Sequence, residues 1–179
     1  MPALAGLRGL PAEQAEPLLL LGLQQEAFMV RSLSCAGLGM KPTPAGWPAL
    51  VQALQQDEDA NVRAEAANAL VSHSLERAWP LLLEAFRRDS QWLLRCSVLS
   101  AVAEHPAMAS EDLLELARLA LVDADGTVRV GGAEILGRLV RDGSAAAAGA
   151  AGEARRELQA LQQDPDHRVV AAALNGLQG

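Results

Sequence analysis

The residues of this chain that could carry out chemistry are few and widely spaced. The three histidines, His73, His105 and His167, lack the spacing of metal ligands, and the two cysteines, Cys35 and Cys96, form no CxxC pair. The sequence contains no GxSxG, no HExxH and no glycine-rich phosphate loop. We therefore expect no catalytic residue, no metal and no cofactor, and we interpret both cysteines as small core residues rather than reactive or ligand-attaching thiols.

Composition narrows the class of protein further. The 179 residues are 50% hydrophobic and 21% charged, which suits one soluble domain or one short repeat array. The net charge of −7 argues against nucleic-acid binding, because that binding requires basic patches that neutralise phosphates. The longest apolar run, Leu18 to Leu23 with Gly22 included, is too short for a membrane span, and we expect no signal peptide and a cytoplasmic protein.

An internal repeat organises the chain. An arginine preceded by an acidic turn and followed by small and apolar residues recurs at Arg31, Arg63, Arg95 and Arg129, in steps of 32, 32 and 34 residues. A fifth copy has Val170 in place of the arginine, after a step of 41 residues. The excess falls in the Ala/Gly-rich stretch 144–152, which we interpret as a linker or a helix extension.

Each repeat has the pattern of two helices. Apolar residues recur at helical spacing and no segment alternates like a strand, so we predict an all-α protein. The first helices are expected at 12–25, 47–56, 75–88, 110–122 and 153–163, and a second helix follows each of them. The sequence thus predicts a single domain over 1–179 with about five helical hairpins, in repeats of about 11–40, 46–74, 75–106, 110–141 and 150–179.

Turn residues mark where these helices begin. The acidic residues before the second helices, such as Asp57 or Asp59, can accept from free backbone N–H groups there. We expect Ser110 to act as an N-cap, and we place Pro48 and Pro80 in the first turns of their helices, where the missing N–H costs nothing.

The repeated residues resemble the HEAT repeat, in the short form of the phycobilisome-lyase type. The family pattern of acidic turn, Val-Arg, paired alanines and leucine stands here as Asp57, Asp59, Val62, Arg63, Ala66, Ala67 and Leu70. The resemblance implies a right-handed α-α superhelix. It also implies a ladder of turn aspartates and arginines from neighbouring repeats, to which we assign a structural role: Arg31, Asp57, Arg63, Asp89, Arg95, Asp123 and Arg129.

The same resemblance places the second helices on the concave, partner-facing side. Positions opposite the expected core stripe are apolar in the first repeat and polar or acidic in later repeats. Phe28 and Trp92 share one repeat position at the edge of this stripe, where two interpretations stay open: an anchor for a partner, or packing against the preceding loop. The candidate partner-binding residues are Phe28, Met29, Leu33, Asn61, Glu65, Asn68, Trp92, Leu93 and Glu134.

Function is less constrained than fold. We interpret the chain as a noncatalytic scaffold or adaptor that binds another protein. The alternative that the resemblance implies is a bilin lyase subunit or a phycobilisome degradation factor, with a phycobiliprotein as partner. The activities of that group leave no triad or metal motif to find, so an enzyme remains open.

The first and last repeats of the array are each expected to have an apolar face that no neighbouring repeat covers. We expect Leu4, Leu7 and Leu10 to fold back as a cap over the first helix. The last helix carries a second apolar stripe, and we expect it to pack against a second copy of the chain or against a partner protein.

Overall fold

All regular secondary structure in the described residues is helical. The computed structural model describes Gly6, residues 9–142 and residues 148–178, and this part contains no strand, which confirms the all-α prediction and the α-α solenoid class. A short 3-10 helix, Leu161–Gln163, follows the ninth helix. The α-helices are α1 (Ala12–Gly22), α2 (Phe28–Met40), α3 (Gly46–Gln56), α4 (Ala60–His73), α5 (Leu75–Arg88), α6 (Trp92–Ala103), α7 (Ser110–Leu121), α8 (Gly126–Arg141), α9 (Ala148–Ala160) and α10 (His167–Leu177).

The chain forms two compact units, Met1–Ala101 and Val102–Gly179. The first contains α1 to α5 and most of α6, and the second contains α7 to α10. In both units the even-numbered helices are the second helices of the repeats. Each begins three residues before the repeat position occupied by Arg31, Arg63, Arg95, Arg129 or Val170, so the register read from the sequence is the register of the helices.

Paired aspartates precede three of the second helices, α4, α8 and α10. Asp59 caps α4 by accepting from the backbone N–H of Asn61, and Asp125 caps α8 in the same way. The earlier aspartate of each pair closes the turn instead: Asp57 accepts from the N–H of Asp59 at 2.9 Å, and Asp123 from that of Asp125 at 2.8 Å. From the sequence alone, either aspartate of a pair could cap the helix. In the structure the later aspartate caps the helix and the earlier one closes the turn.

The core of each unit is made of leucine and small residues. The sequence also predicts a core stripe on α4, of which Val62, Ala66, Ala69 and Leu70 are buried and the last member, His73, is half-buried. Because alanine and glycine fill much of the inner surface, the backbones of neighbouring second helices approach closely. The fully buried leucine and isoleucine side chains are Leu38, Leu50, Leu70, Leu82 and Leu94 in the first unit and Leu116, Ile135, Leu136, Leu139 and Leu158 in the second.

Glycines permit the closest approaches between second helices. A Cβ atom on Gly39 of α2 would lie 2.9 Å from the Cα atom of Ala69 on α4. In the second unit, a Cβ atom on Gly137 of α8 would lie 2.9 Å from the Cα atom of Gly176 on α10. Gly39 and Gly137 both follow their repeat arginine by eight residues, so one packing solution is used twice.

Two predictions about helix starts are wrong. Pro80 is the sixth residue of α5, not a first-turn residue, because Ser74, six residues before it, caps the helix by accepting from the N–H of Arg77. Pro80 is exposed, so the carbonyl that it leaves without a helical donor faces water. Ser110 is the first residue of α7 rather than its cap, since the carbonyl of Ala109 accepts the first helical bond, from Leu113.

The ends of two first helices also differ from expectation. Helix α1 stops at Gly22, because Leu23 to Gln25 form turns back onto the last carbonyls of the helix. Helix α9 starts at Ala148, so the described part of the Ala/Gly-rich stretch is a helix extension. Leu4 and Leu7 of the predicted cap lie outside the described residues, and the carbonyl of Leu10 accepts from Lys41 Nζ at 2.6 Å.

Candidate functional site

Each repeat arginine that pairs in the structure joins two successive turns. Arg63 donates through Nε and Nη2 to the two carboxylate oxygens of Asp89, at 2.6 and 3.0 Å. Its Nη1 donates to the carbonyls of Asp57 and Glu58 in the turn of its own repeat, at 2.9 and 3.1 Å. The planar guanidinium therefore binds its own turn on one side and the next turn on the other.

The same arrangement recurs in both units. Arg31 forms a two-point contact with Asp57, at 2.8 and 2.9 Å, and Arg129 forms one with Asp164, at 2.9 and 3.0 Å. In all three pairs the side chains are only 8 to 14% exposed. Asp164 was missing from the predicted ladder. The signal was present, because Asp164 stands at the same turn position as Asp57 and Asp123.

The pKa shifts of the paired residues are those expected of ion pairs. The hydrogen bond to Asp57 raises the pKa of Arg31, and the hydrogen bond to Asp164 raises that of Arg129. In turn, the guanidinium of Arg129 lowers the pKa of Asp164. These arginines are occupied by neighbouring carboxylates and carbonyls, so they do not form an open track for phosphates or carboxylates of a ligand.

The remaining predicted ladder residues have these positions. Arg95 donates through Nη1 to the carbonyl of Asp89 at 2.6 Å, which repeats the own-turn contact of Arg63. Asp123 makes the turn contact described above. At the last repeat Val170 is half-buried, and Arg168 pairs instead with Asp166 of its own turn at 2.7 Å.

The outward face of α2 is apolar and exposed. Met29, Leu33 and Met40 lie on one stripe of the helix, and Phe28 flanks its first turn. Their exposed fractions are 42% for Phe28, 48% for Met29, 41% for Leu33 and 57% for Met40. We call these four residues the α2 face. Their exposure separates them from the core side chains of the same helix, Cys35 and Leu38, which are fully buried.

The corresponding face of α4 is polar. Asn61 is exposed, whereas Glu65 and Asn68 are half-buried. Asn68 accepts from the hydroxyl of Ser97 at 3.4 Å, so it contributes to the contact of α4 with α6. Burial raises the pKa of Glu65. Apolar and acidic groups therefore lie on successive second helices of the first unit.

The other candidate partner-binding residues, Trp92, Leu93 and Glu134, lie on α6 and α8. Trp92, at the first position of α6, is 45% exposed, and Leu93 beside it is half-buried. Glu134 is exposed on α8 in the second unit. Phe28 and Trp92 are thus both partly exposed, as an anchor for a partner would be.

Cys35 is buried, whereas Cys96 and Trp47 are half-buried. Burial raises the pKa of the Cys35 thiol to about 12, so this thiol stays protonated and unreactive at neutral pH. Trp47 packs against His73 with ring centroids 6.0 Å apart, and the guanidinium of Arg77 lies 3.9 Å above the Trp47 ring. His73 Nε2 is also 2.9 Å from the carbonyl of Leu38, so its ring is held in place by α2 and α3.

A pocket of about 570 Å³ opens beside the Arg63–Asp89 pair, between the ends of α3 and α5. The charged groups that line it are paired with one another or with a neighbour: Asp57 with Arg31, Arg63 with Asp89, and Glu84 with Arg88 at 2.8 Å. Across the described ranges, no cluster of three or more His, Cys, Asp or Glu side chains could hold a metal ion. No described helix is long and apolar enough to cross a membrane.

Comparison with known proteins agrees with this architecture. No curated protein matches the chain. Residues 15–103, from within α1 to the last residue of α6, match the family model for HEAT repeats. HEAT repeats generally mediate contacts between proteins. Together with the repeated hairpins and the turn-joining arginines, this match identifies residues 15–103 as HEAT repeats and supports a HEAT-repeat protein.

Proposed function

We propose that this chain is a noncatalytic protein-binding scaffold of the cytoplasm and that the α2 face is its main contact with a partner. The exposure of Phe28, Met29, Leu33 and Met40 on a single helix is the observation that carries the proposal. Large apolar side chains grouped on one surface are typical of protein interfaces, because association removes them from water. Methionine adds to this, since its flexible side chain adapts to the shape of a partner.

The other predicted partner residues extend this surface in the proposal. Asn61, Glu65 and Asn68 would contribute the polar border next to the α2 face, and Trp92 with Leu93 would contribute a second apolar contact. Glu134 belongs to the second unit, where it would act as a separate exposed acid. A central apolar contact with a polar border is the usual arrangement of protein interfaces.

A matched pair of double variants tests the proposal. Met29→Ser with Leu33→Ser removes the centre of the α2 face, and Leu18→Ser with Leu21→Ser removes two leucines of similar exposure from α1. Proteins that copurify with each variant from native lysate are quantified, and the strongest partner is then purified and titrated. We expect the α2 variant to lose this partner and the α1 variant to keep it. Equal retention by both variants would contradict the proposal.

The resemblance to the phycobilisome-lyase type suggests a specific partner class, the phycobiliproteins. This extension rests on the repeat residues around Asp57 and Arg63 and is proposed only as an alternative to a general scaffold. Absorbance spectra of the protein mixed with bilin, with and without a phycobiliprotein, distinguish the two. A spectral shift that depends on the protein would favour the lyase alternative, and an unchanged spectrum would favour the scaffold.

We also propose that the end of the second unit contacts a second copy of the chain. Leu174 of α10 is exposed, and Val170 and Leu177 beside it are half-buried. A small apolar patch that meets itself across a twofold axis is the commonest form of homodimer. Light scattering should show a dimer that Leu174→Glu converts to a monomer. A wild-type protein that stays monomeric at high concentration would rule this contact out.

A further inference from the structure

Glu65 lies on α4, the second helix that packs directly against α2. Glu65 on α4 follows its repeat arginine by two residues, as Leu33 on α2 does, so the two residues are equivalent in successive repeats. Helices α2 and α4 are in direct contact at Gly39 and Ala69. The negative charge of Glu65 also acts on Cys35 of α2, where it adds to the effect of burial on the thiol.

This carboxylate has no described cationic partner. The turn aspartates Asp57, Asp89 and Asp164 are each paired with an arginine, whereas no ion pair or hydrogen bond joins the Glu65 side chain to another residue in the part of the chain described. Glu65 is nevertheless half-buried, and removal from water opposes its charge. A cation supplied by a partner would pair with a partly desolvated carboxylate to which no described residue is paired.

We propose that the α2 face and Glu65 together bind an amphipathic helix of a partner protein that carries a lysine or arginine beside its apolar stripe. This inference rests on the proposed function and adds the chemistry of the partner to it. The apolar side chains would pack on Met29, Leu33 and Met40, and the cation would pair with Glu65. The overall charge of −7 favours approach of a basic segment from a distance.

A helix fits this surface better than an extended segment. The described residues offer no sheet edge, so an extended peptide would find no row of backbone groups to pair with. A helix satisfies its own backbone and presents only side chains. The stripe from Met29 to Met40 spans eleven residue steps, or roughly 16 Å at the rise of an α-helix, which matches about three turns of a partner helix.

Designed peptides test the inference directly. A panel of labelled helical peptides of about 18 residues carries leucine at i, i+3, i+4 and i+7. Each peptide has lysine at one of several flanking positions, and matched peptides carry glutamate or serine at the same positions. Fluorescence anisotropy gives Kd for the full protein and three variants: Glu65→Gln, the Met29→Ser and Leu33→Ser double variant, and Glu76→Gln. Glu76 is an exposed acid on α5, so its variant controls for net charge.

We expect at least one lysine peptide to bind and its glutamate counterpart to bind far more weakly. Glu65→Gln should weaken the lysine peptide by about tenfold and should not weaken the serine peptide, and Glu76→Gln should change neither. Glu65→Gln should also raise the melting temperature, because it removes a partly desolvated charge from the free protein. A merely structural role would not give this combination of higher stability and weaker binding.

Other results would overturn the inference in distinguishable ways. If no lysine peptide binds, or if lysine and glutamate peptides bind alike, the charged part of the inference is wrong. If Glu65→Gln leaves lysine-peptide binding unchanged while the Met29 and Leu33 double variant abolishes it, the inference fails and the proposed function stands. If the double variant has no effect on any bound peptide, both fail.

Discussion

Replacing Arg63 by alanine tests the structural role of the turn-joining arginines. The substitution removes four hydrogen bonds, two to Asp89 and one each to the carbonyls of Asp57 and Glu58. It also leaves the Asp89 carboxylate, with a side chain 11% exposed, without its cation. The cost should therefore exceed that of an ordinary surface ion pair by a wide margin.

The expected magnitude lies between two known limits. Breaking a fully buried ion pair costs about 3–5 kcal/mol, and an exposed pair is worth about 0–1 kcal/mol. Because Arg63 and Asp89 are close to the buried limit, we expect Arg63→Ala to lower the free energy of unfolding by about 2–4 kcal/mol. At about 2–4 °C per kcal/mol for a chain of this size, the melting temperature should fall by roughly 4–16 °C.

Two further variants separate geometry from charge. Arg63→Lys keeps the charge but cannot reach Asp89 and both carbonyls with one ammonium group, so its cost should lie between wild type and alanine. Arg88→Ala is the matched control, because Arg88 pairs with Glu84 one turn away and is 79% exposed. That pair should contribute about 0.5 kcal/mol or less.

The assay is urea and thermal unfolding followed by circular dichroism, with the melting of each unit checked for a single transition. In the double variant Arg63→Ala with Asp89→Ala, part of the lost stability should return, since no carboxylate is left unpaired. If Arg63→Ala costs no more than Arg88→Ala, or if Arg63→Lys equals wild type, the arginines do not hold the repeats together as described.

Two more predictions concern pH and close packing. Arg129 lowers the pKa of Asp164, and the pKa of Asp166 falls to about 2. The stability that these two carboxylates give the folded protein is therefore complete above about pH 4 and is lost as pH falls toward 2. A melting temperature that does not change from pH 5 to 2.5 would contradict this. Gly137→Ala should lower the free energy of unfolding by about 1–3 kcal/mol, because the new methyl group would meet the backbone of Gly176. Gly152 lies in open space on α9, so Gly152→Ala should raise the free energy of unfolding by up to about 1 kcal/mol. Opposite signs in thermal melts are the expected result, and equal shifts would argue against the close approach.

Much of the fold could be predicted because the same local sequence signals recur in successive repeats. In the clearest copies, an aspartate pair, then an arginine, then small residues and a leucine at helical spacing define the start and the buried stripe of the second helix. The starts of α5 and α7 were predicted at residues 75 and 110, as the structure has them, but their caps were harder to predict, since a cap depends on which carbonyl accepts the first helical bond. Ser74 and Ala109 take that position, although Ser110 has the side chain better suited to it.

The candidate surface was predicted in outline, and its energetics were not. Helical periodicity placed Met29 and Leu33 away from the core, and the structure leaves both exposed. Periodicity could not tell that Glu65 would be half-buried without a cation, because that depends on how closely α4 approaches α2 at Gly39 and Ala69. The pairing of Asp164 with Arg129 could have been predicted, because Asp164 stands six residues before the last repeat position, as Asp57 does before Arg63.

Under the proposed function, the repeat separates stability from recognition. Positions that join repeats carry the same residue types in most repeats: arginine at the repeat position of the first four repeats, and aspartate in the turn that precedes each second helix from α4 onward. Two residues after the arginine the type changes from leucine in α2 to glutamate in α4 and serine in α6. Since the joining positions are already satisfied by one another, a partner can be selected only through the positions that vary. Substitutions at Arg63 should therefore alter unfolding, and substitutions at Leu33 or Glu65 should alter binding.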